Sequence, residues 1–172
     1  MNATPDRIFL DASVRRLSQM TERIEVCLGK LTDDQIWLRG SETQNAIGNL
    51  ILHLCGNLRQ WIIAGVGGAA FDRDRDAEFL ARGGVPKAEL VACLKRTVEE
   101  AAAAIQQVSN TRLSEPLRIQ NYDATVLEAI YHVVEHFAQH YGQVTFATKL
   151  FTQEDLGFYG HLSKRDHGQR TP

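Results

Sequence analysis

Tyr131-His132-Val133-Val134-Glu135-His136-Phe137-Ala138-Gln139-His140-Tyr141-Gly142-Gln143 places three histidines four residues apart within a run of helical apolar period. Residues four apart project from one face of an α-helix, so His136 and His140 aim two imidazoles at one point. Working outward, Thr125-Val126-Leu127-Glu128 reads as a capping box that opens this helix, and the pattern continues to about Leu150. With His136 at zero and about 100° per residue, Val126, Ile130, Val133, Val134, Phe137, Tyr141 and Val144 occupy an arc from about 60° to 160°. His140 falls near about 40° and His132 near about −40° on the same wheel. His136 and His140 therefore flank the core-facing stripe. His132 leans toward solvent or toward a place behind the ligands. It lies about 12 Å along the axis from His140, too far for the three to share one ion.

Three more helices precede this one. Ile8, Leu10, Val14, Leu17, Met20, Ile24, Cys27 and Leu28 recur at helical period from about Asp6 to Lys30. Thr32-Asp33-Asp34-Gln35 is a second capping box, before a short turn with Ile36 and Trp37. A second long helix runs from about Asn45 to Ala64 and stops at Gly65, Gly67 and Gly68. The charged stretch from Phe71 to Gly84 reads as a long crossover loop. Pro86 suits the first position of a third helix, which continues to about Val108. Ser109 to Ala124, with Pro116 and scattered β-branched residues, reads as loop. The pattern predicts an all-α four-helix bundle with a long crossover between helices 2 and 3, forming one domain over 1–172 with a polar tail from about 152.

A third ligand must come from another helix, and His53 is the candidate. On its own wheel, Leu50, Trp61, Leu54, Ile47, Leu58, Ile51 and Ile62 span about 60° to 180° from it, so His53 edges its apolar stripe as His136 does. Two matching edge positions on packed helices meet at one rim of a bundle. Three imidazoles leave a coordination position open, the arrangement of a catalytic rather than a structural site.

Composition narrows the classes. The 172 residues are 44% hydrophobic and 23% charged, with a formal net charge of −2. This is a globular balance without the basic excess of a general nucleic-acid binder. The most apolar stretch, Ala46 to Ala70, contains Asn49, His53, Asn57, Arg59 and Gln60, which a membrane span would not carry. Met1 to Arg7 has neither the basic nor the apolar region of a signal peptide. Cys27, Cys55 and Cys93 are few, odd in number and form no CxxC, which fits a reducing cytoplasm and excludes a disulfide scaffold. No GxGxxG, GxxxxGKS or GxSxG is present, so nucleotide binding and serine hydrolysis have no local support.

Ile47-Gly48-Asn49-Leu50-Ile51-Leu52-His53-Leu54, followed in order by Tyr131 to Gln143 with its His-Tyr-Gly-Gln ending, resembles the DinB-like superfamily of metal-dependent four-helix-bundle enzymes. The resemblance spans the first helix to about Leu150. It implies a bundle with a metal held by His53, His136 and His140, the set that the wheels select independently. Relatives similar to it include thiol-cofactor-dependent transferases and isomerases of small molecules. Tyr141 departs from the pattern, because relatives often carry a basic residue there.

The expected activity is therefore that of a metal-dependent enzyme acting on a small-molecule substrate. It would be a transferase using a low-molecular-weight thiol, or a metal-assisted hydrolase. Zinc or nickel suits three imidazoles, and manganese or iron is not separated from them by ligand type. The alternative is a non-catalytic bundle with a structural or adventitious metal, acting through oligomerisation, such as a homodimer. A fourth ligand from His161 in the tail would favour that alternative. Among neighbouring residues, Asn57, one turn after His53, and His132 are candidates for contacts behind the ligands. Glu128 is either a base or part of its capping box. Arg73 and Arg75 either meet an anion or are solvated.

Overall fold

The computed structural model describes residues 4–160. Four long helices carry the fold. Helix α1 (Pro5–Gly29) starts where the Thr4 hydroxyl accepts from the Arg7 N–H. Helix α2 (Asp33–Trp37) is the short turn, and its capping box is formed at both ends by Thr32 and Gln35. Helix α3 (Ile47–Leu58) continues directly into a π-helical stretch, Arg59–Val66. Helix α4 (Arg75–Leu80) is short, α5 (Lys87–Gln106) is long, and α6 (Val126–Thr152) is the longest at 27 residues. Thr125 and Glu128 close the capping box of α6, which assigns Glu128 to that role.

Helix α1 packs against α5 and α6, and α3 packs against the same two helices. The first and second long helices are thus diagonal across the bundle, as are the third and fourth. Their facing stripes supply the core, in which Leu17, Ile24, Ile51, Leu58, Leu90, Ile105, Ile130 and Phe137 are all fully buried. Burial of this kind contributes roughly 1.5–3 kcal/mol per large side chain and holds the helices at fixed azimuth. No helix among the described residues is long and apolar enough to cross a membrane.

Two stretches read as loop are ordered. The crossover contains α4, whose N-terminus is capped by Asp74 accepting from Ala77 N–H at 2.9 Å. Six residues are too few to display a period, which is why charge alone marked this stretch. The segment after α5 forms a 3₁₀ turn (Asn110–Ser114) and a two-stranded antiparallel hairpin, β1 (Pro116–Ile119) and β2 (Tyr122–Thr125). Gln120 and Asn121 both take positive φ, as a two-residue hairpin turn requires. Pro86 caps α5 from outside rather than occupying its first turn. Of the tail, Leu156 is buried; His161 and Leu162 lie outside the described residues.

Three glycines on the second long helix make room for other elements. A Cβ on Gly48 would lie 2.8 Å from the Trp37 ring. One on Gly65 would collide with Ile119 of the hairpin, and one on Gly56 would collide with the Glu78 carboxylate of α4. The crossover and the hairpin therefore seat closely on the helix that carries His53.

Candidate metal centre

His53 on α3 and His136 and His140 on α6 form one cluster, with three imidazole nitrogens within 4.8 Å of one another. His53 Nε2 lies 3.0 Å from His136 Nε2, and His140 Nε2 lies 3.2 Å from it. A cation held tetrahedrally at about 2.0–2.1 Å from each nitrogen would keep such atoms about 3.3 Å apart. His53 is buried, and the other two are half-buried.

Two of the three imidazoles are oriented from behind. The Glu78 carboxylate lies 3.0 Å from His53 Nδ1 and accepts its proton, which leaves the Nε2 lone pair facing the cluster. Arg73 donates from Nε and Nη2 to the two oxygens of Glu78, at 2.7 Å each. Arg73 Nη2 also lies 3.1 Å from His53 Nδ1, but a guanidinium only donates, so that contact accepts no proton from this tautomer. Likewise Gln143 Oε1 lies 2.7 Å from His140 Nδ1 and turns its Nε2 inward. His136 Nδ1 is buried without a hydrogen-bond partner among the described residues. Inward lone pairs at this spacing repel unless a proton or a cation lies between them.

The electrostatics favour neutral imidazoles at His132, His136 and His140. Burial, reinforced by the neighbouring histidines and Arg73, pushes His136 down to about 3. Burial also lowers His140 and His132. Burial alone would raise the Glu78 carboxyl, but hydrogen bonds from Arg73 and His53 outweigh it and bring it below the usual carboxylate range. These are the protonation states that ligation of a divalent ion needs.

Of the flanking candidates, His132 stands outside the cluster and is half-buried. Its ring packs 4.3 Å from Trp61 and 5.6 Å from His136. The π-helical stretch presents Trp61 beside it. Asn57 is buried and lines a cavity adjoining His53 and His136. Arg73 is no solvated loop residue; its side chain is 5% exposed and paired with Glu78. Glu78 itself escaped the sequence reading. The signal that could have found it is Gly56, one turn after His53, which leaves the notch into which Glu78 fits.

A family model described as a protein of unknown function (DUF1572) matches residues 5–160. The chain belongs to the DUF1572 family. DUF1572 is a DinB-like family, and the helical architecture agrees with its membership of that superfamily. The DUF1572 chain is similar to a solved conserved protein from Enterococcus faecalis, at 16% identity and a TM-score of 0.69, covering 84% of this chain and 97% of that one. It is also similar to a DinB-like protein from Bacillus subtilis, at 16% identity and a TM-score of 0.66, covering 86% and 97%. A DinB-like protein from Bacillus cereus gives 14% identity and a TM-score of 0.66, covering 82% and 91%. At such identities the likeness carries the fold alone. No curated protein matches this DUF1572 chain.

Proposed function

We propose that this chain is a metal-dependent enzyme whose ion is held by His53, His136 and His140 and whose substrate is a small molecule. The convergence of three Nε2 atoms, two of them turned inward by Glu78 and Gln143, supports the reading. When bound, a divalent ion supplies Lewis acidity at a position the protein leaves open. Zinc or nickel suits the donors best, with manganese and iron as alternatives.

The chain's own residues supply the rest. Glu78, fixed by Arg73, holds the proton on His53 Nδ1 and so keeps its Nε2 available. Gln143 does the same for His140. Asn57 and His132 line the adjoining cavity, and burial lowers His132, which supports a role for it in taking a proton from a bound substrate. The reaction we favour is transfer involving a low-molecular-weight thiol, with metal-assisted hydrolysis as the second reading. Three free cysteines fit a reducing cytoplasmic setting.

The test is metal analysis of untagged protein followed by cobalt substitution. One equivalent of metal per chain is expected, together with a visible spectrum that changes on adding a low-molecular-weight thiol. Protein that retains no metal, or a cobalt spectrum indifferent to thiols and carboxylates, would overturn the reading.

A further inference from the structure

A cavity of about 540 Å³ adjoins His53 and His136, bounded by α3, the segment 73–75 and the hairpin. Its volume suits a small organic molecule. One wall is aromatic. Trp61 and Tyr122 have ring centroids 6.4 Å apart, and His132 packs on Trp61.

The charged and polar groups on this cavity divide unequally. Its carboxylates are already committed. Glu128 is bound in its capping box, and Asp123 accepts from Arg118 at 3.2 Å. Glu78, behind His53, is bound by Arg73, whose Nη1 also donates to Gln60 at 2.8 Å. Asp74, next to Arg75 in sequence, caps α4. Trp61 Nε1 and His136 Nδ1, on the same lining, are buried without a hydrogen-bond partner among the described residues. Arg75 and Asn57 are also unpaired. Arg75 lies over the Phe79 ring at 4.8 Å, with no carboxylate or hydrogen-bond partner among the described residues. Asn57 is only 5% exposed, and its carboxamide has no hydrogen-bond partner among the described residues. Asn57 lines the cavity, so a ligand there can supply the carboxamide with partners. Phe79 stacks in turn on His53 at 4.7 Å, so the uncommitted cation sits on the same stack as the cluster.

We propose that this cavity binds a small flat carboxylate. Its planar body lies against Trp61 and Tyr122, and Arg75 and the Asn57 carboxamide recognise its charged end. The inference deepens the proposed function and rests on that reading, since the cavity adjoins the proposed ligands. It follows from complementarity. The free groups include a cation and an amide donor, so the ligand must bring acceptors and negative charge. The aromatic wall favours a planar body over an aliphatic one.

The experiment uses full-length protein, incubated with zinc and then freed of unbound metal, titrated by calorimetry with benzoate, acetate and benzyl alcohol. Amide and indole resonances of Asn57 and Trp61 locate the binding. Benzoate is expected to bind at least about tenfold more tightly than either control, shifting both resonances. Arg75→Gln and Asn57→Leu should each weaken benzoate about fivefold to tenfold and leave benzyl alcohol unchanged. Arg75 is exposed, so its variant keeps the test available if Asn57→Leu fails to fold. Benzoate binding no tighter than acetate, or unchanged in Arg75→Gln, overturns the proposal. Zinc content measured on the same samples separates the two readings. One zinc per chain without benzoate selectivity removes the carboxylate pocket alone. Selective benzoate binding in protein that holds no zinc removes the metal reading alone.

Discussion

The Glu78 carboxylate lies 3.0 Å from the Nδ1 of His53, a residue 25 positions earlier, and it occupies space that exists because Gly56 has no side chain. The crossover between the second and third long helices is therefore part of the site. It brings an acceptor to the imidazole and a guanidinium to the acceptor.

Removing that acceptor should loosen the metal. Glu78→Ala is expected to weaken zinc binding by roughly 10–100-fold, and Glu78→Gln, which keeps an oxygen, by less. Competition against a chromophoric chelator measures both. Equal affinity in wild type and Glu78→Ala would show that His53 needs no partner.

Gly56→Ala should behave against the usual helix rule. Glycine to alanine inside a helix normally stabilises by about 1 kcal/mol. Here the new Cβ would displace Glu78, so both urea stability and zinc affinity should fall. A gain in stability with unchanged zinc affinity would refute the notch.

Arg73 and Glu78 form a buried ion pair, at 5% and 11% side-chain exposure. Arg73→Ala leaves the part-buried Glu78 carboxylate with His53 as its remaining partner among the described residues, and should lower urea stability by up to about 3 kcal/mol. Combining Arg73→Met with Glu78→Leu should restore most of that stability while zinc affinity stays low. Recovery of both together would mean that the pair has no part in orienting His53.

The histidines of α6 should divide by position. His136→Ala or His140→Ala should abolish stoichiometric metal, whereas His132→Ala should weaken it by at most about 10–100-fold. Metal analysis of the three purified variants decides. Loss of metal in His132→Ala alone would require a different ligand set.

The metal-free protein should lose stability in acid well before its carboxylates titrate. His136 is held down to about 3 by burial, reinforced by the neighbouring histidines and Arg73, while an unfolded histidine titrates near about 6.5. Between those values the unfolded chain binds a proton that the folded chain refuses, so stability rises with pH across the window. It is fully present above the unfolded value and declines as pH falls toward about 3. The lowered His140 and His132 act in the same sense. Urea midpoints should fall steadily from about pH 7 to 4. A flat profile over that range would contradict the burial of these rings.

The sequence made the long helices legible because their apolar period persists for many turns, and because Thr32 and Thr125 begin true capping boxes. The three histidines were legible for the same geometric reason. Helix α4 was not, since its few residues follow an alternating run of aspartate and arginine and look like a solvated loop. Arg73 was unreadable there because its burial depends on Glu78 and on a glycine of another helix. The hairpin was hidden by strands of four residues and by Gln120 in a left-handed turn position that usually belongs to glycine or asparagine.

The contact between His53 and His136 joins residues 83 apart in the chain. An ion shared between them would act as a reversible cross-link that closes a long loop. In the chain-entropy model such a closure removes about 4.5 kcal/mol of freedom from the unfolded ensemble. Helix α6, the last of the four long helices described, carries two of the three clustered histidines. An ion held by the three would therefore be captured only once α6 has joined the bundle, and a chain cut before α6 should show no stoichiometric metal.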